Sequence, residues 1–391
     1  MNDLPPLLLL LTVTVLPAAV LAGSSLYPIR RYADRFGLVA RPGGHSSHRH
    51  VTPLGGGLGI YVGVVGTLSA GALVVVAAGD QSGWIPDGLA SMAAGASHRL
   101  TPLAGLLIAA TTLTVLGYLD DARNLPPGWR LMVEFWVASF TVFGLGFELT
   151  AYIGSPWITR PLSVLWIVGI INSINMLDNM DGLAAGVAAI IAASMAAVMW
   201  RTPDAQTASP QFLVAGLLMV VSGACVGFLW HNRPPARIFM GDAGSYLVGY
   251  LIAVGMLMAT FAGGGLLDPR PHAVLAPLCA MAVPLYDTAT VVGIRIREGR
   301  PIHRGDHSHF SHRLVALGLS RTAAVVTIYL VTATCGLAAV LLTTVPLTEA
   351  VMVIGIVVCM LALIAVLEST SWNLRPRRPD GPPDAATDDE R

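Results

Sequence analysis

Long apolar runs dominate this sequence and limit the folds that are open to it. The chain has 391 residues, of which 54% are hydrophobic and 12% charged, and its mean hydropathy is +0.67. Soluble domains usually carry about 25% charged residues. A helix needs roughly 20 apolar residues to cross a hydrocarbon core about 30 Å thick. The composition therefore predicts an all-α polytopic membrane protein.

About eleven transmembrane helices are predicted, and each loop is numbered here by the span that precedes it. The predicted spans cover residues 6–27, 54–78, 102–119, 131–153, 161–177, 183–200, 211–230, 244–263, 271–293, 322–344 and 348–368. The first apolar run is preceded by Asp3 and by no arginine. A cleaved signal peptide, in contrast, begins with a positively charged region. The first span is therefore expected to remain in the protein.

The arginines predict how the helices are oriented. All 23 basic residues are arginines; nineteen fall in the odd-numbered loops and the C-terminal segment, and four in the even-numbered loops. Loops rich in Lys and Arg stay in the cytoplasm. We therefore expect the N-terminus outside, and the odd loops and the C-terminus in the cytoplasm. The Pro-rich, charged residues 371–391 are predicted to be a disordered cytoplasmic tail.

Several classes of protein are excluded by composition. Without lysine, the chain has no P-loop lysine, no Schiff base and no kinase β3 lysine. The four cysteines lie in apolar runs without metal-ligand spacing, so they are predicted to be small buried residues. The formal net charge is zero, which gives no basic surface for nucleic acid.

One polar row interrupts the apolar pattern, in the stretch INSINMLDNMDGL of loop 5. Its polar side chains are Asn172, Asn175, Asp178 and Asp181. An Asp at the centre of a spanning helix costs roughly 2.5–3.5 kcal/mol on insertion. A position at the cytoplasmic end of a helix, facing a watery cavity, removes most of that cost. Spacing of three predicts one oblique helical ridge, and Gly182 predicts a break nearby.

Other polar clusters fall on the remaining odd loops. Loop 3 contains GYLDDARNLPPGWR, loop 7 HNRPPARIFMGDAGSYLVG, loop 9 REGRPIHRGDHSHFSHRL, and loop 1 the His- and Gly-rich GGHSSHRHVTPLGGG. Taken singly, each has an ordinary explanation: a solvated helix cap, a tight turn before a helix, a solvated loop or an interfacial aromatic. The sequence lacks an H-E-x-x-H zinc signature.

Taken together, the clusters indicate one site. Carboxylates and amide oxygens at helix ends suit Mg²⁺, which binds through one or two carboxylates and substrate phosphates. Arginine and histidine in the neighbouring loop suit the phosphates themselves. The residues alone therefore predict a Mg²⁺-dependent enzyme at the cytoplasmic face that acts on a phosphorylated substrate, such as a phosphorylated lipid.

The motifs resemble those of the polyprenyl-phosphate N-acetylhexosamine-1-phosphate transferases, within glycosyltransferase family 4. The blocks LDDARNL, NSINMLDNMDGLAAG, NRPPARIFMGDAGS and DHSHFSHRL agree with that family in order and spacing, over roughly residues 25 to 345. The resemblance implies transfer of a sugar-1-phosphate from a UDP-sugar to a C55 lipid phosphate, with UMP released. It also implies Mg²⁺, with Mn²⁺ as a substitute.

The resemblance further implies roles for individual residues. The residues matching catalytic positions are Asp120, Asp121, Asp178, Asp181, His309 and His312. The positions implied for substrate binding are Asn172, Asn175, Asn232, Phe239, Arg304, Asp306 and His307, with uracil stacked on Phe239. The implied metal ligands are Asp242, Asp121 and Asn175. Asp120 matches the residue that deprotonates or positions the lipid phosphate.

The same resemblance favours one branch of the family. DHSHFSHRL is similar to the GlcNAc-1-phosphate branch, which serves O-antigen, enterobacterial-type polymers and teichoic acid linkage units; the tighter His-His-His stretch of the phospho-N-acetylmuramoyl-pentapeptide branch is absent. UDP-GlcNAc is the expected donor, another UDP-N-acetylhexosamine the next choice and the pentapeptide donor the last. In loop 1, His45 and Ser46 replace the Arg-Lys pair that the family often carries before its His, and Asn179 replaces a frequent Gly.

Two other classes of membrane protein fit this sequence less well. Secondary transporters place acids near mid-membrane in broken, repeated helices, whereas these acids lie at predicted helix ends without a clear repeat. The CDP-alcohol phosphotransferases require D-G-x-x-A-R, and MDGLAAG lacks the Arg. We therefore expect residues 1–370 to form one catalytic domain in the inner (plasma) membrane, its site built from cytoplasmic loops 1, 3, 5, 7 and 9. The expected partners are the UDP-sugar, polyprenyl phosphate, membrane lipid and, as a homodimer, a second copy.

Overall fold

The computed structural model describes residues 4–40, 52–78, 100–149, 153, 155–202, 211–262, 271–301 and 308–373, and these are almost entirely helical. The helices are α1 Leu4–Tyr32, α2 Gly56–Ala78, α3 Leu100–Arg123, α4 Pro127–Ser139, α5 Pro156–Leu177, α6 Leu183–Arg201, α7 Phe212–Asn232, α8 Gly241–Ala262, α9 Ala276–Ala280, α10 Ala282–Arg297, α11 Phe310–Ala316, α12 Arg321–Leu342 and α13 Leu347–Asn373. Two 3₁₀ segments, Ala33–Phe36 and Pro271–Leu275, and one π segment, Phe140–Gly144, complete them.

Nine helices in the described ranges are long and apolar enough to cross a membrane. They coincide with nine of the predicted spans, so the protein is an all-α, multi-pass membrane protein. A tenth span results if Pro271–Ala280 and Ala282–Arg297, which meet at 63°, cross together. The count of eleven and the orientation of the termini stay predictions.

The structure differs from the predicted spans in two places. The helix expected over 131–153 begins at Pro127 and ends with the π segment at Gly144. The span expected over 271–293 is bent at Met281, where a 3₁₀ segment and a short helix precede α10. Prolines explain part of this irregularity, since Pro277 and Pro284 each lack a backbone donor. Apolar composition predicts that a segment is buried in lipid, but it does not predict where the helix bends.

Helix ends also extend further than the apolar runs. Helix α3 continues through Asp120 and Asp121 to Arg123, so both aspartates lie in its last turns and not in a loop. Helix α13 continues to Asn373, past the predicted domain boundary at residue 370. The predicted tail from residue 374 onward lies outside the described residues.

The polar row of loop 5 does not lie on one helical ridge as predicted. Asn172 and Asn175 belong to α5, which ends at Leu177, and Asp178 is its C-terminal cap. Asp181 lies in the following turn. Gly182 then adopts a positive φ of 79° at the start of α6, a conformation that glycine permits without strain. The predicted break is therefore present, but it falls four residues before Asp181.

Small residues bring helices close together around the site. A Cβ added to Gly227 of α7 would lie 2.2 Å from the carbonyl oxygen of Ala19 in α1. One added to Gly57 of α2 would lie 2.1 Å from the backbone nitrogen of Gly244 in α8. Within membranes, such small residues allow the close backbone approach on which helix packing depends.

A two-stranded sheet fixes the segment before α8. Strands β1 (Val39–Ala40) and β2 (Thr52–Pro53) are antiparallel, with Val39 opposite Pro53. The Pro53 carbonyl accepts a hydrogen bond from Phe239 N–H at 2.9 Å, and Gly56 N–H donates to the Phe239 carbonyl at 2.9 Å. Loop 1 and loop 7 are therefore held together by backbone hydrogen bonds at the N-terminal end of α8.

Candidate active site

Asp120 is buried and anchors an arginine. Its carboxylate accepts hydrogen bonds from Arg130 Nη1 at 2.7 Å, from Leu125 N–H at 2.8 Å and from the Tyr246 hydroxyl at 3.1 Å. Arg130 Nη1 also lies 3.8 Å from Asp242 Oδ2. A charge-assisted pair with so little exposed surface fixes the guanidinium group between two carboxylates. Arg130 is thereby placed at the junction of α3, α4 and α8.

Asp121 caps helix α8 from a neighbouring helix. Its two carboxylate oxygens accept hydrogen bonds from Asp242 N–H at 2.9 Å and from Ala243 N–H at 3.3 Å. The first N–H groups of a helix have no partner within the helix, and its N-terminal dipole favours a negative group. Gly241 permits this approach, because its φ is 69° and an added Cβ would lie 2.5 Å from Asp121 Oδ2. The cap holds Asp242 beside Asp121.

Asn175 connects the end of α5 to the same place. Its Nδ2 donates to Asp242 Oδ1 at 2.6 Å and to Ser245 Oγ at 2.9 Å. Asp242 therefore faces an amide from one side and Arg130 from the other. Carboxylates and an amide from α3, α5 and α8 meet here, as the sequence pattern predicted for loops 3, 5 and 7.

Asp178 lies next to this group and has a perturbed acidity. The pKa of Asp178 is raised to about 7, mainly by burial and in addition by the negative charges of Asp121 and Asp181, while a hydrogen bond from the Gly241 backbone N–H opposes the shift. An anion placed beside other anions with few compensating cations is costly. A cation bound beside Asp178 would favour its charged form.

Asp181 and Asn232 hold the loop between α7 and α8. Asp181 Oδ2 accepts a hydrogen bond from Ala236 N–H at 2.9 Å. The buried Asn232 side chain accepts from Gly182 N–H at 2.8 Å and donates to the Ile238 carbonyl at 2.8 Å. Both residues thus organise the backbone that leads to Phe239. The half-buried Phe239 follows directly, fixed by its own backbone bonds to loop 1.

Loop 9 is joined to the site through α11. His309 Nδ1 lies 2.9 Å from Asp287 Oδ2, and Phe310 N–H donates to Asp287 Oδ1 at 2.6 Å. The Ser311 hydroxyl donates to Asn179 Oδ1 in the turn between α5 and α6. His312, next in sequence, is half-buried. The histidine segment therefore reaches the turn that carries Asp178 and Asp181.

Asn172 lies apart from these contacts. Its Nδ2 donates to Glu134 Oε2 of α4 and to the Val168 carbonyl at 2.9 Å. The structure thus uses this amide to join α4 to α5. Arg304, Asp306 and His307 lie outside the described residues, as do His45, Ser46 and His48 of loop 1.

The donor set fits a divalent cation held in an open site. Among the described residues, no three acidic, His or Cys side chains form a preformed cage for a metal ion. Magnesium does not require one, since it keeps several waters and uses one or two carboxylates together with substrate phosphates. Such carboxylates are supplied by Asp242 in the first turn of α8 and by Asp121 of α3, which accepts a hydrogen bond from Asp242 N–H.

Several residues of this site carry signals that the sequence interpretation passed over. Glu134 and Asp287 are acids inside predicted spans, and an ionisable residue within a membrane segment indicates function by default. Arg130 is a charge at the edge of such a span. Tyr246 gave no signal, because a tyrosine in an apolar helix is an ordinary packing residue.

Comparison with known proteins agrees with this architecture. Residues 103–260 match the model of glycosyl transferase family 4. A Bacillus subtilis (strain 168) protein named probable undecaprenyl-phosphate N-acetylglucosaminyl 1-phosphate transferase is 32% identical over 346 residues, 86% of each chain. The Mycobacterium tuberculosis (H37Rv) decaprenyl-phosphate N-acetylglucosaminephosphotransferase is 30% identical over 337 residues, 81% of this chain and 78% of that protein.

A Synechococcus phospho-N-acetylmuramoyl-pentapeptide-transferase is 31% identical over 342 residues, 81% of this chain and 86% of its own. The fold and site thus define a multi-pass membrane enzyme whose polar side chains converge at helix ends. The chain belongs to glycosyl transferase family 4 and is a phosphoglycosyl transferase.

Proposed function

We propose that this protein transfers N-acetylglucosamine-1-phosphate from UDP-GlcNAc to undecaprenyl or another polyprenyl phosphate and releases UMP. The observation that carries the proposal is the convergence of Asp120, Asp121, Asp178 and Asp242 from three helix ends beside Arg130. The names of the Bacillus and Mycobacterium relatives support the donor and acceptor classes. The arginine distribution supports a cytoplasmic site in the plasma membrane.

Mg²⁺ is the cofactor that this donor set fits, and Asp242, Asp121 and the Asn175 amide would hold it. When bound, it neutralises charge on the diphosphate and on the departing UMP. The remaining contributions come from the protein. Arg130, held by Asp120, places a fixed positive charge beside Asp242, where a phosphate group entering the site would meet it.

The reaction is a substitution at the β-phosphorus of the UDP-sugar. A lipid phosphate oxygen forms the new P–O bond, the bond to the bridging oxygen breaks, and the electron pair leaves with UMP. The second pKa of a phosphate monoester is about 6, so the acceptor is already largely dianionic near neutral pH. A general base is therefore of little benefit, and positioning dominates.

The contacts of the two adjacent aspartates favour direct attack over a covalent aspartyl intermediate. Asp120 accepts three hydrogen bonds, and both oxygens of Asp121 accept backbone N–H groups. Hydrogen bonds to a carboxylate stabilise its negative charge and so make it a weaker nucleophile, although each Asp121 oxygen keeps a lone pair for a cation. Asp120 then acts by positioning Arg130, and Asp121 by positioning the start of α8.

The histidine segment is proposed to bind the sugar-diphosphate. Asp287 accepts from His309 Nδ1, so it fixes the orientation of the ring and presents Nε2 away from α10. The contact between Ser311 and Asn179 brings His309 and His312 towards the turn of Asp178. Phe239 is proposed to stack on uracil at the opposite side of the cavity.

The test is release of UMP by the purified protein in detergent, with undecaprenyl phosphate, Mg²⁺ and a panel of UDP-sugars. UMP formed with UDP-GlcNAc and abolished by EDTA is expected. Asp242→Asn is expected to abolish turnover, whereas Asp34→Asn, an exposed acid after α1, should not. A cooperative thermal unfolding transition would show that the protein is folded. If such a protein releases no UMP with any donor, the proposal is contradicted.

A second donor is favoured by one observation, the similarity to the Synechococcus pentapeptide transferase. UDP-N-acetylmuramoyl-pentapeptide belongs in the same panel for that reason. UMP formed with this donor alone would keep the reaction and the site but change the substrate.

A further inference from the structure

A polar cavity lies at the end of α1, and its lining residue Ala236 donates its N–H to Asp181 of the candidate site. Its volume is about 550 Å³, and its lining residues are Tyr27, Arg30, Arg31, Thr52, Pro53, Ala236 and Arg237. Three of these seven are arginines and none is acidic. Such a cavity is suited to an anion, and guanidinium groups match phosphate oxygens in geometry as well as in charge.

Among the residues that the structure describes, no acidic group pairs with Arg30. Its Nη1 lies 3.3 Å from His231 Nδ1, and its buried Nε has no hydrogen-bond partner. His231 Nε2 lies 3.0 Å from the Gly23 carbonyl, which only accepts, so this nitrogen carries the proton and Nδ1 accepts from Arg30. The arginine is therefore paired with a neutral ring. A partly buried cation without a counter-charge favours binding of an anion.

The other two guanidinium groups are exposed. Arg31 lies in the last turn of α1, and Arg237 lies in the loop between α7 and α8. Among the described residues, no carboxylate forms an ion pair with either. These two exposed cations line one cavity and have no ion pair with a described acid, so they are suited to an external anion.

The exposed face of α1 next to the cavity indicates which kind of anionic ligand the cavity binds. Leu16, Val20, Tyr27 and Arg31 follow one another at intervals of four, seven and four residues, so they share one face of α1. Leu16, Val20 and Tyr27 are all exposed. An apolar strip of a spanning helix thus runs up to an aromatic ring and then to arginines. This order of groups matches the acyl chains, the interface and the phosphate of a lipid.

We propose that this cavity binds the phosphate headgroup of an anionic glycerophospholipid, with the acyl chains along the Leu16 and Val20 face of α1. Arg30, Arg31 and Arg237 surround the phosphate, and Tyr27 lies at the boundary between headgroup and chains. This site is additional to the acceptor position at the carboxylate cluster. Its bound lipid would fix the end of α1 against loop 7, which carries Phe239.

The test measures lipid retention by native mass spectrometry of the full-length protein in detergent, titrated with phosphatidylglycerol or with phosphatidylcholine. The wild type is expected to retain phosphatidylglycerol preferentially, because choline cancels the phosphate charge. The double variant R31Q/R237Q is expected to lose retention about 25-fold, since each juxtamembrane arginine contributes about a five-fold attraction to anionic lipid and the two factors multiply.

The matched control is R35Q/R233Q. It removes the same charge from the same two segments, and both arginines are exposed but outside the cavity lining. Equal loss in the control would show general attraction to anionic surface and would overturn the proposal. Equal retention of the two lipids by the wild type would overturn it as well. Thermal unfolding of both variants checks that they are folded.

Two competition arms separate the sources of phosphate. Inorganic phosphate at millimolar concentration is expected to compete only weakly, because it lacks the acyl chains. Binding of free phosphate through Arg31 and Arg237 without binding of phosphatidylglycerol would overturn the lipid assignment. Undecaprenyl phosphate should not displace the retained lipid; displacement would assign the cavity to the acceptor instead. None of these readouts depends on UMP release, so the proposed reaction is tested separately.

Discussion

Asp178 shows how the environment of a single residue determines its charge. Asp178 is the C-terminal cap residue of α5, where its backbone N–H donates to the Asn175 carbonyl, and its carboxylate lies close to Asp121 and Asp181, so that its pKa is raised to about 7. The native state therefore holds a proton on Asp178 in a pH range in which the unfolded chain, with an ordinary Asp pKa near 3.9, does not. Stability from this group is fully present below pH about 4 and is lost as the pH rises to about 7.

The first prediction uses this shift. Without divalent cations, in EDTA, the thermal stability of the wild type should fall between pH 5 and pH 8 as Asp178 ionises. Asp178→Asn should flatten the profile and be more stable than the wild type at pH 8, by about 1–2 kcal/mol. The measurement is the unfolding temperature across that range. Parallel profiles for the two proteins would contradict the assignment of the shift to Asp178.

Asp287 and His309 form a pair whose geometry is specific to one tautomer. Asp287→Asn keeps an acceptor for Phe310 N–H but presents an amide donor to His309 Nδ1, so the ring is expected to reverse its proton placement. An orientation lost in this way costs about 1.4 kcal/mol, or about ten-fold in the rate of UMP release. Asp287→Glu should recover part of the rate. An unchanged rate in Asp287→Asn would show that the orientation of His309 is unimportant.

Between elements, close packing places the site more strictly than any single hydrogen bond. Helix α3 approaches the start of α8 at Gly117, where an added Cβ would lie 2.3 Å from Ala243 N and 2.4 Å from the Asp242 carbonyl oxygen. These are backbone atoms and do not move aside independently. The same helix carries Asp120 and Asp121 one turn later, so the glycine sets the distance between the two groups of carboxylates.

Gly117→Ala is therefore expected to separate α3 from α8. Overpacking of this kind costs about 1–3 kcal/mol, and the displaced Asp242 should lower the rate of UMP release by more than the loss of folded protein explains. Gly71→Ala in α2 is the control, because nothing lies within 4 Å of its added Cβ. This control should be neutral, or more stable by up to about 1 kcal/mol. Equal behaviour of the two variants would contradict the packing argument.

Across the whole molecule, the last helix supports the histidine segment. Glu368 of α13 lies 3.0 Å from Arg313 Nε of α11, and the Tyr286 hydroxyl of α10 donates to Glu368 Oε2 at 2.7 Å. Arg313 and Glu368 are both buried. Residues separated by more than fifty positions thus join three helices behind His309, and removal of one partner leaves a buried, uncompensated charge.

Glu368→Gln is accordingly expected to destabilise the protein by about 3–5 kcal/mol. Glu349→Gln, at the exposed other end of the same helix, should leave stability within about 0.5 kcal/mol. The measurement is thermal unfolding of both variants in detergent. If Glu368→Gln unfolds at the wild-type temperature, the buried pair does not anchor α11.

The positions of the membrane spans follow from local sequence, whereas the exact helix ends do not. Nine spans were predicted to within a few residues because apolar length is a local property that a bilayer reads directly. The grouping of Asp120, Asp121, Asn175 and Asp242 was predicted from their shared membrane face and from the family resemblance. The end of α5 at Leu177 was not predicted. A polar residue at every third position is compatible with a continuous helix and also with a helix that ends in a cap and a turn.

The sequence by itself determined that the chain is a membrane protein, which helices can span, and which polar residues belong to one face. Only the tertiary structure decided which group neutralises, caps or orients which other group. Asp120 with Arg130, Asp121 with the first N–H groups of α8, and Asp287 with His309 are pairs far apart in sequence or across helices. Such pairs depend on the approach of packed backbones, which small residues such as Gly117 and Gly57 permit, and no local pattern encodes that approach.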